Sequence, residues 1–248
     1  MTAPRVFLNQ SPEDTETPFD WPLDTRESHH LSKVLRVREG NELWAFDGQG
    51  RTWQGRVKNA SRREITVNLT SRSTTLALQP ERILVQALPK QKAWETSLRI
   101  AAEIGVTRIV PVFSTNSEIR LEAERIDGKM EKWRQLLIEA CKQCGLPYLP
   151  GIEKPCSLAE WLARQQLPVS GYIASLEADT PYLIRVPLPK TAECPTVHAA
   201  IGPEGDFTAE EYAKLRDVGL TPVRLGKHTL RCDTAVAYTL SVLDQLFS

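Results

Sequence analysis

From about residue 78 to its end, the chain repeats one rhythm: a short apolar or β-branched run, then apolar residues at helical spacing, then another run. Residues 82–88 predict a strand. Trp94, Leu98, Ala101 and Ala102 mark one face of a helix that Gly105 ends, and 107–113 predict the next strand. Two strands joined through a helix run parallel, because the crossover returns the chain to the end it left. The rhythm continues with a helix over 129–144, strands at 172–176 and 196–201, a helix over 209–218, a short strand at 222–225 and a last helix over 234–247. Val236, Leu240, Leu243 and Phe247 share one face of that last helix. The expectation is an α/β domain with a parallel sheet over 78–248. The Pro-containing stretch 178–195 reads as a long connection.

Residues 1–74 follow a different pattern. Short alternating or β-branched runs at 42–46, 52–57 and 64–69 are punctuated by Gly40, Asp47-Gly48 and Gly50, and helical periodicity is confined to 26–35. A polar stretch, 70–80, separates this β-rich unit from the rest. Two domains are therefore expected in 248 residues, each large enough for its own core.

The 31 basic and 31 acidic side chains balance, so any polyanion-binding surface must be a local patch. Such a patch is available: residues 26–72 hold ten basic and five acidic side chains, Arg62 and Arg63 among the basic ones, with Trp44 and Trp53 available for stacking. The same residues also suit a solvated surface over core tryptophans. No apolar run approaches the roughly 20 residues that span a bilayer, and residues 1–10 lack the basic-then-apolar order of a secretory signal, which predicts a cytoplasmic protein. Five cysteines at irregular spacing do not form a secreted disulfide framework. Cys141 and Cys144 lie late in a helical pattern, where packing is the expected role. Neither they nor His29, His30, His198 and His228 have metal-ligand spacing, so no metal is expected.

Two segments carry the chemistry. Ala200-Ile-Gly-Pro-Glu-Gly-Asp-Phe207 follows a β-branched strand and precedes a helix, which places a tight turn at a strand's carboxyl end, where open α/β sheets bind ligands. Thr208 and Glu211 have the spacing of a capping box. The dinucleotide motif G-x-G-x-x-G is absent, which argues against a nicotinamide or flavin site. The second segment, Val223-Arg-Leu-Gly-Lys-His-Thr-Leu-Arg-Cys-Asp-Thr-Ala235, runs from strand through loop to helix, with Asp233 or Thr234 placed to cap the last helix. Gly202, Gly205 and Gly226 thus put two glycine turns at the ends of two strands, as one binding crevice would require.

The order GPEG, then F-T-x-E-E, then L-G-x-x-x-L-R-x-D-T-A into a C-terminal helix resembles the SPOUT methyltransferases. Lys90-Gln-Lys-Ala-Trp-Glu95, Ala102-Glu-Ile-Gly-Val-Thr-Arg-Ile-Val-Pro111, Glu139-Ala-Cys-Lys-Gln-Cys-Gly145 and His30-Leu-Ser-Lys-Val-Leu-Arg36 are similar to the branch that methylates N3 of a uridine in 16S ribosomal RNA, the RsmE family. The resemblance covers nearly the whole chain. It departs at Asp206, where the family has glycine, at Asp233 for Glu, at Leu146 and Asn116 for Arg, and at Gln91 for glycine.

The resemblance implies an N-terminal PUA-like β-barrel over 1–74 that binds RNA, and a C-terminal SPOUT domain over 78–248 with a trefoil knot. It implies S-adenosylmethionine held by Ser175, Leu176, Ile201, Gly202, Gly205, Leu225, Gly226, Leu230, Thr234 and Ala235. Lys33, Arg36, Arg38, Lys90 and Lys92 would contact 16S RNA in the 30S subunit, and the C-terminal helix would help form a homodimer. N3 of uridine must lose its proton as it attacks the methyl carbon, so a cation stabilising charge on the base would help; Arg231 is the candidate, with Glu204 as a candidate proton acceptor. Alternatives at this point are a SPOUT enzyme acting on another RNA position, or a silent RNA-binding assembly factor in which the Asp206 carboxylate disfavours the cofactor.

Overall fold

The computed structural model describes residues 3–12, 16–61, 64–119, 121–187 and 195–247. Arg62, Arg63, Cys194 and part of the 178–195 connection lie outside the described residues. The chain forms two compact units, one of residues 1–77 with 138–149, the other of 78–137 with 150–248.

In the first unit, β1 (Arg5–Phe7), β2 (Phe19–Pro22), α1 (Thr25–His29), β3 (Glu42–Phe46), β4 (Arg51–Ala60) and β5 (Ile65–Thr74) build a five-stranded sheet in the order β1-β3-β4-β5-β2. All neighbours are antiparallel except β1 and β3. The stretch from 70, expected to be a polar separator, is strand as far as Thr74, because β4 extends alongside it and pairs Arg51 with Thr74. Exposed, polar positions mask that strand in the sequence. β1 and β2 are too short to leave a periodic signal. Inward residues Leu43, Ala45, Trp53, Val57, Ile65, Val67 and Leu69 form the core with Val6, Leu23 and Leu31. Each large apolar side chain so buried contributes roughly 1.5–3 kcal/mol.

Residues 138–149, the end of the longest helix and the turn after it, pack with this unit. Lys142 Nζ donates to both oxygens of Glu27 at 3.0 and 3.1 Å, in a pair that is under 10% exposed. Arg5 Nη1 donates to the carbonyl of Lys142 at 3.1 Å, serving a carbonyl at the helix end. Burial pushes the Cys141 thiol up to about 12, consistent with packing rather than reactivity; Cys141 and Cys144 are free thiols.

In the second unit, β6 (Glu81–Ala87), α2 (Gln91–Ile104), β7 (Arg108–Phe113), α3 (Ala123–Cys144), β8 (Gly151–Ile152), β9 (Cys156–Ser157), α4 (Leu158–Ala163), β10 (Gly171–Ala174), β11 (Thr196–Ile201), α5 (Ala209–Asp217), β12 (Thr221–Val223) and α6 (Cys232–Phe247) follow one another. The sheet order is β12-β10-β11-β6-β7-β8, with β9 also on β7, and every pairing is parallel. Strand alternation sorts the two faces: Ile83, Val85 and Ala87 of β6 join Trp161 of α4 and Tyr212 and Leu215 of α5 in one core. On the other face Gln86 Nε2 donates to Ser97 Oγ of α2 at 3.2 Å, and α2 packs on α6. Gly105 ends α2 at φ +86, a left-handed cap that glycine adopts without penalty. Gly171 is required by close approach: a Cβ there would sit 2.1 Å from the His198 carbonyl oxygen of β11.

α3 begins at Ala123, six residues before the expected start, and α6 at Cys232, two before. Asp233 and Thr234 are therefore inside the first turn of α6 and do not cap it; the amide of Ala235 donates to the carbonyl of Arg231 at 2.8 Å. The helix α4 was not among the expected elements; it starts at a capping box, Ser157-Leu-Ala-Glu160, where Glu160 N donates to Ser157 Oγ at 3.1 Å.

Candidate active site

The sheet order puts the carboxyl ends of β12, β10 and β11 side by side. Three segments leave from these ends: Ser175 and Leu176 after β10, 202–207 after β11, and 224–231 after β12. Parallel pairing aligns their starts, since Ala174 is opposite Val223 and Ile173 is opposite Ala200. The amide of Ser175 donates to the carbonyl of Val223 at 2.9 Å, joining two of the segments directly. Ser175, Ile201 and Leu225 are buried, whereas Leu176 is 56% exposed and Gly226 and Leu230 are half-exposed.

The turn after β11 is held from several sides. Asp206 has φ +60, so the left-handed position of the turn belongs to aspartate, one of the few side chains that tolerates it. Its Oδ1 accepts from the Phe207 amide at 2.8 Å, and the Tyr212 hydroxyl donates to Oδ1 and Oδ2 at 2.9 and 3.0 Å. Gly202 is what makes room for this, because a Cβ there would lie 2.9 Å from Asp206 Oδ1. Burial raises the Asp206 carboxyl above its usual range, and burial likewise raises the Tyr212 phenol. The same hydroxyl lies 3.4 Å from the carbonyl oxygen of Ala174, the last residue of β10, so Tyr212 links the end of β10 with the turn after β11. Sequence reasoning missed Tyr212; its position one residue after Glu211 of the capping box carries no separate signal.

Other contacts complete the frame. Asn116 Nδ2 donates to the carbonyls of Gly205 and Asp206 at 2.9 and 3.0 Å. The capping box forms as expected, with Glu211 N donating to Thr208 Oγ1 at 3.2 Å. Glu211 Oε1 also accepts from the amide and hydroxyl of Thr115 at 2.8 and 3.0 Å. Glu204 Oε1 accepts from the amide of Lys90, the residue at the N-terminal cap of α2, at 3.0 Å.

Arg231 is 76% exposed, its Nε 3.5 Å from Asp233 Oδ1. Cys232, beside it, is buried, and burial moves its thiol up to about 11. Thr234 is exposed and Ala235 buried on the first turn of α6. Lys90 pairs with Glu118 at 3.2 Å, and Lys92 is exposed. In the first unit Lys33, Arg36 and Arg38 are exposed and form no ion pair among the described residues; Arg36 closes the turn 30–35 at φ +51. Trp53 is fully buried, which removes it as a stacking platform, while Trp44 is 37% exposed. Arg51, Arg56 and Lys58 are tied to Asp47, Glu42 and Asp20. Among the described residues, no group of three or more His, Cys, Asp or Glu side chains could hold a metal. No described helix is long and apolar enough to cross a membrane.

Residues 78–244 match the RNA methyltransferase domain family, and residues 23–70 match the RNA methyltransferase PUA domain. The class is thus an RNA methyltransferase with a PUA domain ahead of its α/β domain. Ribosomal RNA small subunit methyltransferase E of Aquifex aeolicus is 31% identical over 85% of this chain and 90% of its own length. The protein of that name from Mycobacterium bovis is 27% identical over 91% and 86%. The chain belongs to the ribosomal RNA small subunit methyltransferase E family. Among solved structures, that of the Neisseria gonorrhoeae family protein bound to S-adenosylmethionine has a TM-score of 0.88 at 25% identity, covering 99% of this chain and 98% of the other. A methyltransferase from Legionella pneumophila, also with S-adenosylmethionine, has a TM-score of 0.87 at 25% identity over the same shares.

Proposed function

We propose that this protein uses S-adenosylmethionine to methylate N3 of a specific uridine in 16S ribosomal RNA of the small subunit, as a cytoplasmic homodimer. The observation that carries the reading is the frame at the carboxyl ends of β12, β10 and β11, where backbone groups are offered between apolar walls. The amides of Leu225, Gly226 and Leu230 donate to no protein acceptor among the described residues. A Cβ on Gly226 would meet nothing within 4 Å, and Leu176 presents an exposed apolar face. Such a site suits a purine ring between leucines with its edge on backbone groups, so the residues present fit the adenosine of the cofactor.

Ser175, Leu176, Ile201, Gly202, Gly205, Leu225, Gly226, Leu230, Thr234 and Ala235 are the proposed cofactor contacts. When bound, the cofactor supplies an electrophilic methyl group. The chain's own part is to position the base and manage its charge. Arg231 is free to approach a base, because its side chain is 76% exposed and its link to Asp233 is long, and it would stabilise negative charge on the uracil oxygens as N3 loses its proton. Glu204 has one oxygen on the Lys90 amide, and the other is the proposed proton acceptor. The Asp206 carboxylate is turned onto Tyr212 and Phe207, which favours the active enzyme over a silent RNA-binding factor. Lys33, Arg36, Arg38, Lys90 and Lys92 are the proposed RNA contacts. Tyr238 and Leu246, exposed on α6, support the proposed dimer; the knotted C-terminal arrangement is what the family resemblance implies.

The test is methyl transfer from tritiated S-adenosylmethionine to 30S subunits lacking N3-methyluridine, with nucleoside mass spectrometry of the product. N3-methyluridine is expected, and Arg231→Ala should lower turnover by about 10²–10³-fold with cofactor affinity unchanged. A different methylated nucleoside would replace the target; neither transfer nor cofactor binding would leave the silent factor. Glu204→Gln keeps an acceptor for Lys90, so a loss of turnover of about 10²-fold would support proton transfer, and near-normal turnover a purely positioning role.

A further inference from the structure

The barrel unit has a concavity that the reading above leaves without a role. A cavity of about 260 Å³ lies between β3 and the turn 145–147 that follows α3, wholly within the first unit. Trp44, 37% exposed, lines it together with Arg5, Thr52, Thr75, Leu146 and Pro147.

The walls are fixed before any ligand arrives. Arg5 and Trp44 are direct partners in the parallel pair of β1 and β3, and the Trp44 amide donates to the carbonyl of Pro4 at 2.9 Å. Arg5 Nη1 donates to the carbonyls of Lys142 and Gln143 at 3.1 and 3.3 Å, which anchors the guanidinium at the end of α3. Gly145 makes room for it, because a Cβ there would lie 2.8 Å from Arg5 Nη2. The turn itself is laced to the barrel: the Gly50 amide donates to the Pro147 carbonyl at 3.1 Å, and the Tyr148 hydroxyl donates to the Thr75 carbonyl at 2.8 Å.

The lining is chemically one-sided. Among the described residues it holds one cation, Arg5, and no carboxylate. Leu146 stands at one of the positions where the family has arginine. A second cation there would make the opening a contact for phosphate alone, whereas leucine leaves an apolar wall in the same cavity as an indole.

We propose that this cavity receives one unpaired nucleobase of the RNA substrate, other than the methylated uridine, stacked on Trp44 against Leu146 with its flanking phosphate at Arg5. Every base has an apolar face for an indole and a leucine, and every base is followed by a phosphate for the guanidinium. An aliphatic protein side chain would fill the walls and leave the cation without a counter-charge. N3 lies on the pairing edge of uracil, so the region that reacts is unpaired and offers such a base. The inference rests on RNA methyl transfer being the activity.

The test measures the dissociation constant for 30S subunits lacking N3-methyluridine, over a range of salt, for the wild type, Trp44→Ala and Trp44→Phe. Trp44→Ala should weaken binding about 10-fold, the weight of one base–aromatic stack, with the salt dependence and S-adenosylmethionine affinity unchanged. Trp44→Phe should recover most of the loss. A loss within twofold, or a phenylalanine variant as weak as the alanine one, overturns the proposal. The occupant is identified with the full chain carrying p-benzoylphenylalanine in place of the exposed Thr75, irradiated with the same subunits. Crosslinks to 16S RNA are expected; crosslinks to ribosomal protein alone, or none, overturn the assignment to RNA. A Trp44 effect and RNA crosslinks without methyl transfer would sink the activity and spare the cavity; transfer with neither would do the reverse.

Discussion

The barrel unit and the α/β unit use polar side chains in opposite ways. On the turn 30–35 and just beyond it, Lys33, Arg36 and Arg38 stand in solvent beside Val34, itself 63% exposed, with no ion pair among the described residues. Around 202–211 the polar groups are engaged: Glu204 with Lys90, Asn116 with Gly205 and Asp206, Asp206 with Tyr212, and Glu211 with both Thr208 and Thr115. The difference follows from what each surface is proposed to do. Attraction to phosphate is long-ranged and tolerates imprecise placement, whereas methyl transfer needs the reacting atoms near 3 Å and aligned, which only a fixed backbone provides.

The comparison can be broken most severely in the barrel core. Trp53→Ala should lower stability by about 3–5 kcal/mol, while Trp44→Ala, on the same sheet but exposed, should cost under about 1 kcal/mol; urea denaturation measures both. If the two cost the same, the division into core and contact tryptophans is wrong. Next in size, replacing Lys33, Arg36 and Arg38 together by alanine should weaken RNA binding about 30–100-fold at low salt and flatten its salt dependence by about three phosphate contacts, leaving S-adenosylmethionine affinity untouched. A loss of cofactor affinity instead would contradict the separation of roles.

The smallest effect is expected at the engaged turn. The folded pKa of Asp206 is raised by burial, so the folded protein holds a proton that the unfolded chain has released, and stability falls as pH rises from the ordinary carboxylate range through the folded pKa. Asp206→Asn stays neutral and should remove that part of the decline in thermal denaturation, with net changes of about 1 kcal/mol or less. An unchanged pH profile would mean that solvent reaches the carboxylate. Glu27 is also raised by burial and falls in the same range, so the wild-type and variant profiles must be subtracted.

Much of this architecture was legible because it is written in short-range periodicity. The β6-α2-β7 unit, the strand at 196–201 and the Thr208–Glu211 capping box each depend on residues within one or two turns of one another. The carbon-rich faces of α2 and α6 were equally readable. The strands at the barrel's edge were not, since three or four residues cannot establish alternation and 70–74 is polar on an exposed extension. Trp44 and Trp53 look alike in sequence; only their pairing with neighbouring strands sends one inward and leaves the other in solvent.

The sequence by itself determined the α/β rhythm, the two glycine-bearing turns and, through those motifs, the family. Tertiary structure alone decided which strand ends are neighbours, since β10 lies between β12 and β11 although 171–174 precedes both in the chain. It also decided that the Asp206 carboxylate faces Tyr212, that Glu204 is held by the start of α2, and that Trp44 and Leu146 share a cavity. The reason is physical: hydrogen bonding and apolar spacing along a segment are local and leave a pattern in the chain, whereas burial and partnership between distant segments exist only once the chain has folded.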